Sequence, residues 1–404
     1  MYQLHDSIPF ATDLKTVKEE LEFLRLLVDT DSRSKKNDGV QAVQNHLATR
    51  LRSLGFEVRL HAHPTKDSAD LLVATLPGSL PFQVTHIGHA DSVLGVSSRY
   101  RFSLSEGGKI ATGPGIADNK GGLLVALRGL EDFVRSHTMR PTLVFVSSPC
   151  EETGSIGWHD LFKEIGNASQ VLLGFEPSLP NGDIIRCRNG NRWYKIQIKG
   201  KPFHAGRFGE PALNAAHEAA MKICELMKLG DEEKRIKVNI GSLKGGDGLY
   251  NIICGQTELM LDTRFPCFES RDELHEKITA IIAKSFTHCL ISGIASQSLY
   301  CLEDDCPPMP LSRDPWGFTD SYLKQLQEIE GQTYRGVSTG GAADINYFSD
   351  GRQFCLDGLG PIASGMHTIH EKIDVSSLFT RATALKQFLS HLSFEPHTLT
   401  RSQG

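Results

Sequence analysis

The chain has 404 residues, more than one ordinary domain holds, so two domains are expected. Its 40% hydrophobic and 23% charged content reads as a water-soluble globular protein, and a net charge of -5 gives no basic stripe for nucleic acid. No apolar run approaches the roughly 20 residues that span a bilayer, MYQLHDSIPFATDLK lacks the pattern of a secretory signal, and nine scattered cysteines without a C-x-x-C pair point to reduced thiols in a cytoplasmic protein.

The first segment reads as a helix with Val17, Leu21, Leu24 and Val28 on one face and Asp13 as its cap. A second helix carries Val40, Val43, Leu47, Leu51 and Leu54 in step, and Gly55 closes it. Strand-like runs follow at 56–60, 70–76 and 82–88. The Gly-rich turn TGPGIADNKGG then leads into an apolar helix over 123–134. Next come a buried strand LVFV (143–146), an amphipathic helix near 155–165 and a buried strand VLLGFE (171–176). Strands alternating with helices predict an α/β layer with a mostly parallel sheet flanked by helices, whose ligand site lies at the carboxyl ends of the strands.

From WYKIQIK (193–199) the pattern changes to half-exposed strands. A helix over about 211–228 starting with Pro211, strands at 235–241 and 257–265, a helix over about 270–288 and a strand near 294–302 follow. The order β-α-β-β-α-β is the ferredoxin-like unit, read as an α+β domain inserted in the first. The expected organisation is 1–188, an insert at 189–304, and 305–404 resuming the first domain. That last part has a helix around 315–329, the turn STGGAAD (338–344), a strand RQFCLDGLG and a final helix bearing Leu378, Ala382, Leu385 and Leu389. Hinges near 188–190 and 303–308 would let the two domains close on a substrate.

The chemistry gathers at strand ends. His89 and Asp91 form the H-x-D of GHADSV, and Asp118 lies in GPGIADNKGG. Glu151 and Glu152 follow the LVFV strand, Glu176 ends VLLGFE, and His367 lies in SGMHTIHE. Adjacent carboxylates at the end of a buried strand repel unless a cation sits beside them; a solvated Glu-Glu pair in a surface turn is the alternative. Imidazole with carboxylate and no thiolate suits zinc or a similar divalent ion in a hydrolytic site. Two ions sharing a bridging carboxylate need about five such ligands, the number on offer. Asp91 is placed to hold the His89 ring and fix its tautomer.

The series GHADS, GPGIADNKGG, EETGS, FEP, GKPFHAG and MHTIHE, in this order, resembles the co-catalytic zinc amidohydrolases and metallopeptidases. That family includes acetylornithine deacetylase, succinyl-diaminopimelate desuccinylase, aminoacylase and the glutamate carboxypeptidases. The resemblance implies a zinc-exopeptidase-like catalytic domain and an inserted dimerisation domain. It implies two zinc ions per subunit, with Co2+ or Mn2+ as substitutes. Asp118 would bridge them, with a cis peptide to Asn119; His89 and Glu176 would complete one ion, Glu152 and His367 the other. Glu151 would be the general base, moving a proton from the attacking water to the leaving amine. In the insert, His204 would reach the partner subunit's site of a homodimer and stabilise the oxyanion. Asn251 and Arg264 would hold the substrate's carboxylate and carbonyl, and the Gly340-Gly341 turn would offer N–H groups to the same carboxylate. A strand ion pair with Asp262 is the alternative for Arg264.

Three positions depart from the family pattern. Cys150 precedes the Glu pair where an acidic or small polar residue is common. His370 stands where Asn or Asp is usual, which leaves two imidazoles to choose between, with the spacing to Glu371 favouring His367. SQSLYCLEDD lacks the further arginine of many carboxypeptidase relatives. Glu176, rather than Asp, is the choice of relatives whose substrate carries a free carboxylate. The reading is therefore a carboxypeptidase-like enzyme of the glutamate carboxypeptidase type, acting on a small or dipeptide-like substrate. An N-acyl amino acid deacylase is the alternative, and a non-catalytic binding protein on the same fold the remoter one.

Overall fold

The computed structural model describes residues 14–63 and 68–394; the cap expected at Asp13 lies outside them. Two units emerge: described residues through Cys187 with Leu311–Ser338 and Ala343 onward, and Arg188–Pro310 with Thr339–Ala342. Among the described residues no helix is long and apolar enough to cross a membrane.

The first unit opens with helices α1 (Leu14–Val28) and α2 (Asn37–Ser53), then strands β1 (Glu57–His61), β2 (Leu71–Leu76) and β3 (Gln83–His89). Gly55, with φ of 90°, takes the left-handed turn that ends α2. Short strands β4 (Ser103–Leu104) and β5 (Ile110–Thr112) precede a wide irregular turn, Ile116–Gly121, and helix α3 (Gly122–Ser136). Strand β6 (Thr142–Ser148), helix α4 (His159–Ala168) and strands β7 (Val171–Gly174) and β8 (Ile184–Arg188) follow. The amphipathic helix therefore starts at His159, later than the expected 155, because residues 151–155 are folded into a tight turn.

The second unit holds β9 (Gly190–Lys199), α5 (Ala215–Met227), β10 (Lys237–Gly245), β11 (Gln256–Phe265), α6 (Phe268–Ala283) and β12 (Gln297–Cys306). Its four strands order β10-β11-β9-β12 in one antiparallel sheet. Tyr194, Ile196, Ile198, Leu259, Leu261 and Phe265 alternate onto the face covered by both helices. Helix α5 does not begin at Pro211. Asn214 caps it, its Oδ1 accepting from Ala216 N at 3.0 Å and His217 N at 3.2 Å. Strand β12 continues to Cys306, opposite Asn191, which carries this unit beyond residue 304.

The first unit then resumes with α7 (Phe318–Glu330), β13 (Gly336–Thr339), α8 (Ile345–Phe348), β14 (Phe354–Leu356), β15 (Ala363–Ser364), β16 (Lys372–Asp374) and α9 (Val375–Phe394). Its main sheet orders β1-β2-β6-β3-β7-β14. The half built from β6, β3, β7 and β14 is parallel, whereas β1 and β2 add antiparallel strands at one edge, so the sheet is mixed. A small sheet, β15-β16-β5-β4, was not expected from the sequence. Helices α3 and α9 close on the core, where Leu130, Phe133, Leu385 and Phe388 are buried. Gly122 starts α3 because a Cβ there would stand 1.8 Å from the Phe175 carbonyl oxygen.

Candidate metal centre

Strands β6, β3 and β7 are neighbours and run parallel, so their carboxyl ends share one edge of the sheet. His89 is the last residue of β3, Glu151 and Glu152 follow β6, and Glu176 follows β7. Asp118 comes from the wide turn before α3, and its peptide bond to Asn119 is cis. Asn119 is buried beside them; its Nδ2 donates to Phe175 O at 2.9 Å. His367, between β15 and β16, has a left-handed backbone, φ 62°.

These side chains converge. His89 Nε2 lies 2.8 Å from Asp118 Oδ1 and 3.7 Å from Glu176 Oε1. His367 Nε2 lies 3.1 Å from Asp118 Oδ2 and 3.2 Å from Glu152 Oε2. Each Asp118 oxygen therefore faces a different imidazole, and each imidazole has one further carboxylate beside it. Ligand atoms around a tetrahedral zinc at 2.0–2.1 Å stand about 3.3 Å apart, and the four separations bracket that value. One atom each of His89, Asp118 and Glu152 lies within 4.8 Å of the others. Glu152 Oε1 is buried with no hydrogen-bond partner among the described residues. A buried, unpaired carboxylate oxygen suits a cation. The donor set thus fits a pair of divalent ions. His370 lies three residues further on, and its backbone N–H donates to Thr368 Oγ1 at 3.1 Å.

The supporting contacts are more numerous than the sequence suggested. Asp91 Oδ1 is 3.2 Å from His89 Nδ1. The same carboxylate accepts from Glu151 N at 3.0 Å, Glu152 N at 3.3 Å and Ser34 Oγ at 2.7 Å. Glu371, expected only as a spacing mark, is buried and accepts from Gly115 N at 3.1 Å, Ala117 N at 2.8 Å and Asp118 N at 3.1 Å. It holds the Asp118 turn by its backbone. No local pattern signals this, because the partners are some 250 residues apart in the chain.

The protonation of the cluster reflects six acids around two imidazoles. Burial pulls the His89 ring down, but Asp118 and Asp91 outweigh it and raise it well above the usual range. Asp118 and Glu152 raise His367 to about 10. Burial would raise Asp118, yet the two imidazoles hold it below the ordinary carboxylate range. Burial, with Glu176, Asp344 and Asp118 nearby, lifts Glu151 well above the usual range against the pull of His89. The facing carboxylates thus favour positive charge at the centre of the cluster.

The remaining candidates lie in the second unit. His204 and Ile252 form an antiparallel bridge, which brings His204 Nε2 to 3.4 Å from Asn251 Nδ2. Arg264, on β11, donates from Nε to Asp262 Oδ2 at 3.0 Å, the ion pair that was its alternative reading. Gly341 N donates to Thr339 Oγ1 at 3.4 Å, and Gly341 O accepts from Arg188 Nη1 at 3.2 Å.

Residues 187–287 match the family model described as a peptidase dimerisation domain. The chain is 29% identical over 383 residues to carboxypeptidase G2 of Pseudomonas sp. (strain RS-16), covering 93% of this chain and 90% of that one. It is 24% identical over 385 residues to a succinyl-diaminopimelate desuccinylase of Pseudoalteromonas translucida (strain TAC 125), covering 91% of this chain and 96% of that one. Its fold matches the crystal structure of a tripeptidase from Staphylococcus aureus subsp. aureus mu50 with a TM-score of 0.77 at 20% identity, over 94% of this chain and 99% of that one.

Proposed function

Because the chain belongs to the M20 family of metallopeptidases and amidohydrolases, we propose that it hydrolyses an amide bond in a small substrate with a free carboxylate, in the manner of a carboxypeptidase. The observation that carries this reading is the arrangement of Asp118. Its two oxygens face two imidazoles, each imidazole has its own second carboxylate, and Glu151 is left over.

His89 and Glu176 would hold one zinc ion, Glu152 and His367 the other, and Asp118 both; Co2+ or Mn2+ would serve in their place. Bound there, the ions supply Lewis acidity, which polarises the scissile carbonyl and acidifies the attacking water. Glu151 takes the proton from that water and passes it to the leaving nitrogen. Asp91 keeps the His89 ring in place from Nδ1.

Arg264 and Asn251 would hold the substrate's carboxylate and carbonyl, with the N–H groups of Gly340-Gly341 on the same carboxylate. The Asp262 pair uses the Arg264 Nε and leaves the terminal nitrogens for a carboxylate fork. The partner subunit's His204 would stabilise the oxyanion of a homodimeric enzyme; the match to a dimerisation domain supports this. Nine scattered cysteines without a C-x-x-C pair support a cytoplasmic location. Removal of an acyl group from an N-acyl amino acid is the second reading, favoured by the desuccinylase relatives.

The test is turnover of the metal-loaded protein on dipeptides and N-acyl amino acids, each with a free or an amidated carboxylate. Free-carboxylate substrates are expected to be cleaved and amidated ones refused. Glu151→Gln should lower kcat by about 10²- to 10⁴-fold with its metal retained. Equal cleavage of amidated substrates sinks the carboxylate assignment, and an undiminished Glu151→Gln sinks the mechanism.

A further inference from the structure

Among the described residues no hydrogen bond reaches the Glu151 carboxylate; only its backbone is held. The direction of this side chain is therefore set by the turn that carries it, residues 150–155. Asp91 grips that turn at its start, through the N–H groups of Glu151 and Glu152. A second carboxylate grips its end. Asp344, 4% exposed, accepts from Ser155 Oγ at 2.6 Å. Ser155 Oγ is also 2.9 Å from Ser148 Oγ, at the last residue of β6. The turn closes on itself between, with Ser155 N donating to Cys150 O at 3.0 Å and Gly154 N to Glu151 O at 2.8 Å.

Two features exceed what a simple turn closure needs. Asp344 Oδ2 is buried without a hydrogen-bond partner among the described residues, so a carboxylate is desolvated to face the hydroxyls of Ser155 and Ser148. Ser155 sits at φ 48°, a left-handed backbone that glycine adopts at lower cost, and it is fully buried. The position gives up backbone ease to present a hydroxyl, and that hydroxyl meets Asp344.

We propose that Asp344, acting through Ser155, is a positioning residue that aims Glu151 at the reacting atoms. Nothing in the sequence marked it; it lies in STGGAAD, read there for its glycine N–H groups. The proposal rests on Glu151 as the general base and deepens that reading. It assigns Asp344 no contact with substrate or metal.

The test compares Ser155→Gly, Asp344→Ala, Asp344→Asn and Glu151→Gln in the full-length, metal-loaded protein, on the best dipeptide or N-acyl amino acid of the panel. Ser155→Gly removes the hydroxyl while easing the backbone; the buried Asp344 carboxylate loses that donor, so the urea midpoint should fall, while metal content should match the parent. Its kcat should nevertheless fall about 10- to 100-fold with KM within about two-fold, as misplacement of a catalytic group by ~1 Å would produce. Asp344→Ala should match it, and Asp344→Asn, whose amide oxygen still accepts from Ser155, should recover to within about three-fold of the parent. Parental kcat in Ser155→Gly overturns the proposal. So does an Asp344→Asn as weak as Asp344→Ala, or a kcat loss in Ser155→Gly matched by loss of metal. If Asp344→Ala does not fold, Ser155→Gly and Asp344→Asn decide alone. Full activity in Glu151→Gln removes the base itself, whatever the other variants do.

Discussion

His86 and His89 lie three residues apart on β3 and therefore point to opposite faces of the sheet. His89 turns to the acids of the metal centre, whereas His86 is buried against Phe175, with Nδ1 3.1 Å from Val144 O and Nε2 unpartnered among the described residues. Burial depresses the His86 pKa from 6.5 to about 4. The unfolded chain takes up a proton below pH 6.5 that the folded chain refuses until near pH 4. This residue thus leaves stability untouched above pH 6.5 and erodes it as pH falls through that window, levelling at roughly 3 kcal/mol. Urea melts of the parent and His86→Leu at pH 7.5, 6 and 4.5 read this directly. The variant is expected to be weaker at pH 7.5, from the lost Val144 bond and altered packing, and to close or reverse the gap by pH 4.5. A gap independent of pH would show that His86 is not held neutral.

Helix α5 illustrates what sequence patterns convey about an element and what they miss. Its existence followed from apolar spacing, but its start did not. Pro211 looked like a first helical residue, whereas the cap is Asn214, and either residue is a legitimate start signal. The central strands β3, β6 and β7 were readable as apolar runs, and with them the rank of acids at their ends. Strands β4, β5, β15 and β16, two or three residues each, carry no periodicity to read. Glu371 and Asp344 escaped for a related reason: each acts on backbone or hydroxyl groups distant in the chain, which residue type and spacing do not encode. The same holds for a pair inside α5. Lys222 and Glu218, both buried, are 3.1 Å apart. Lys222 Nζ donates to Ile281 O at 3.1 Å, Ile282 O at 2.9 Å and Lys284 O, the open carbonyls at the end of α6. Glu218 accepts from Phe286 N at 3.1 Å and Thr287 N at 2.7 Å, just beyond. The pair ties α5 to the exit of α6. Lys222→Met removes the cation and leaves a buried anion, which should destabilise the second unit by about 3–5 kcal/mol in chemical denaturation. A variant within 1 kcal/mol of the parent would mean that these carbonyls find water instead.

For the whole molecule, the decisive matter is which subunit's histidine serves which site. The metal candidates all belong to the first unit and His204 to the second. In a two-fold dimer each subunit would complete the other's site, and the chain of 44.5 kDa should run at twice that mass in light scattering. Subunit mixing distinguishes service within a chain from service across the dimer. His204→Ala and Glu151→Gln are each expected to be nearly inactive as pure proteins. When subunits of the two exchange at equal amounts, half the dimers pair one of each. In such a dimer the His204→Ala subunit keeps Glu151 and receives its partner's intact histidine, so one of its two sites is whole. Activity should therefore climb to about a quarter of the parental value after exchange. If His204 served its own subunit, every site in the mixed dimer would still lack one of the two groups, and no activity would return. Recovery with time, absent when exchange is blocked by crosslinking before mixing, would place the histidine across the interface.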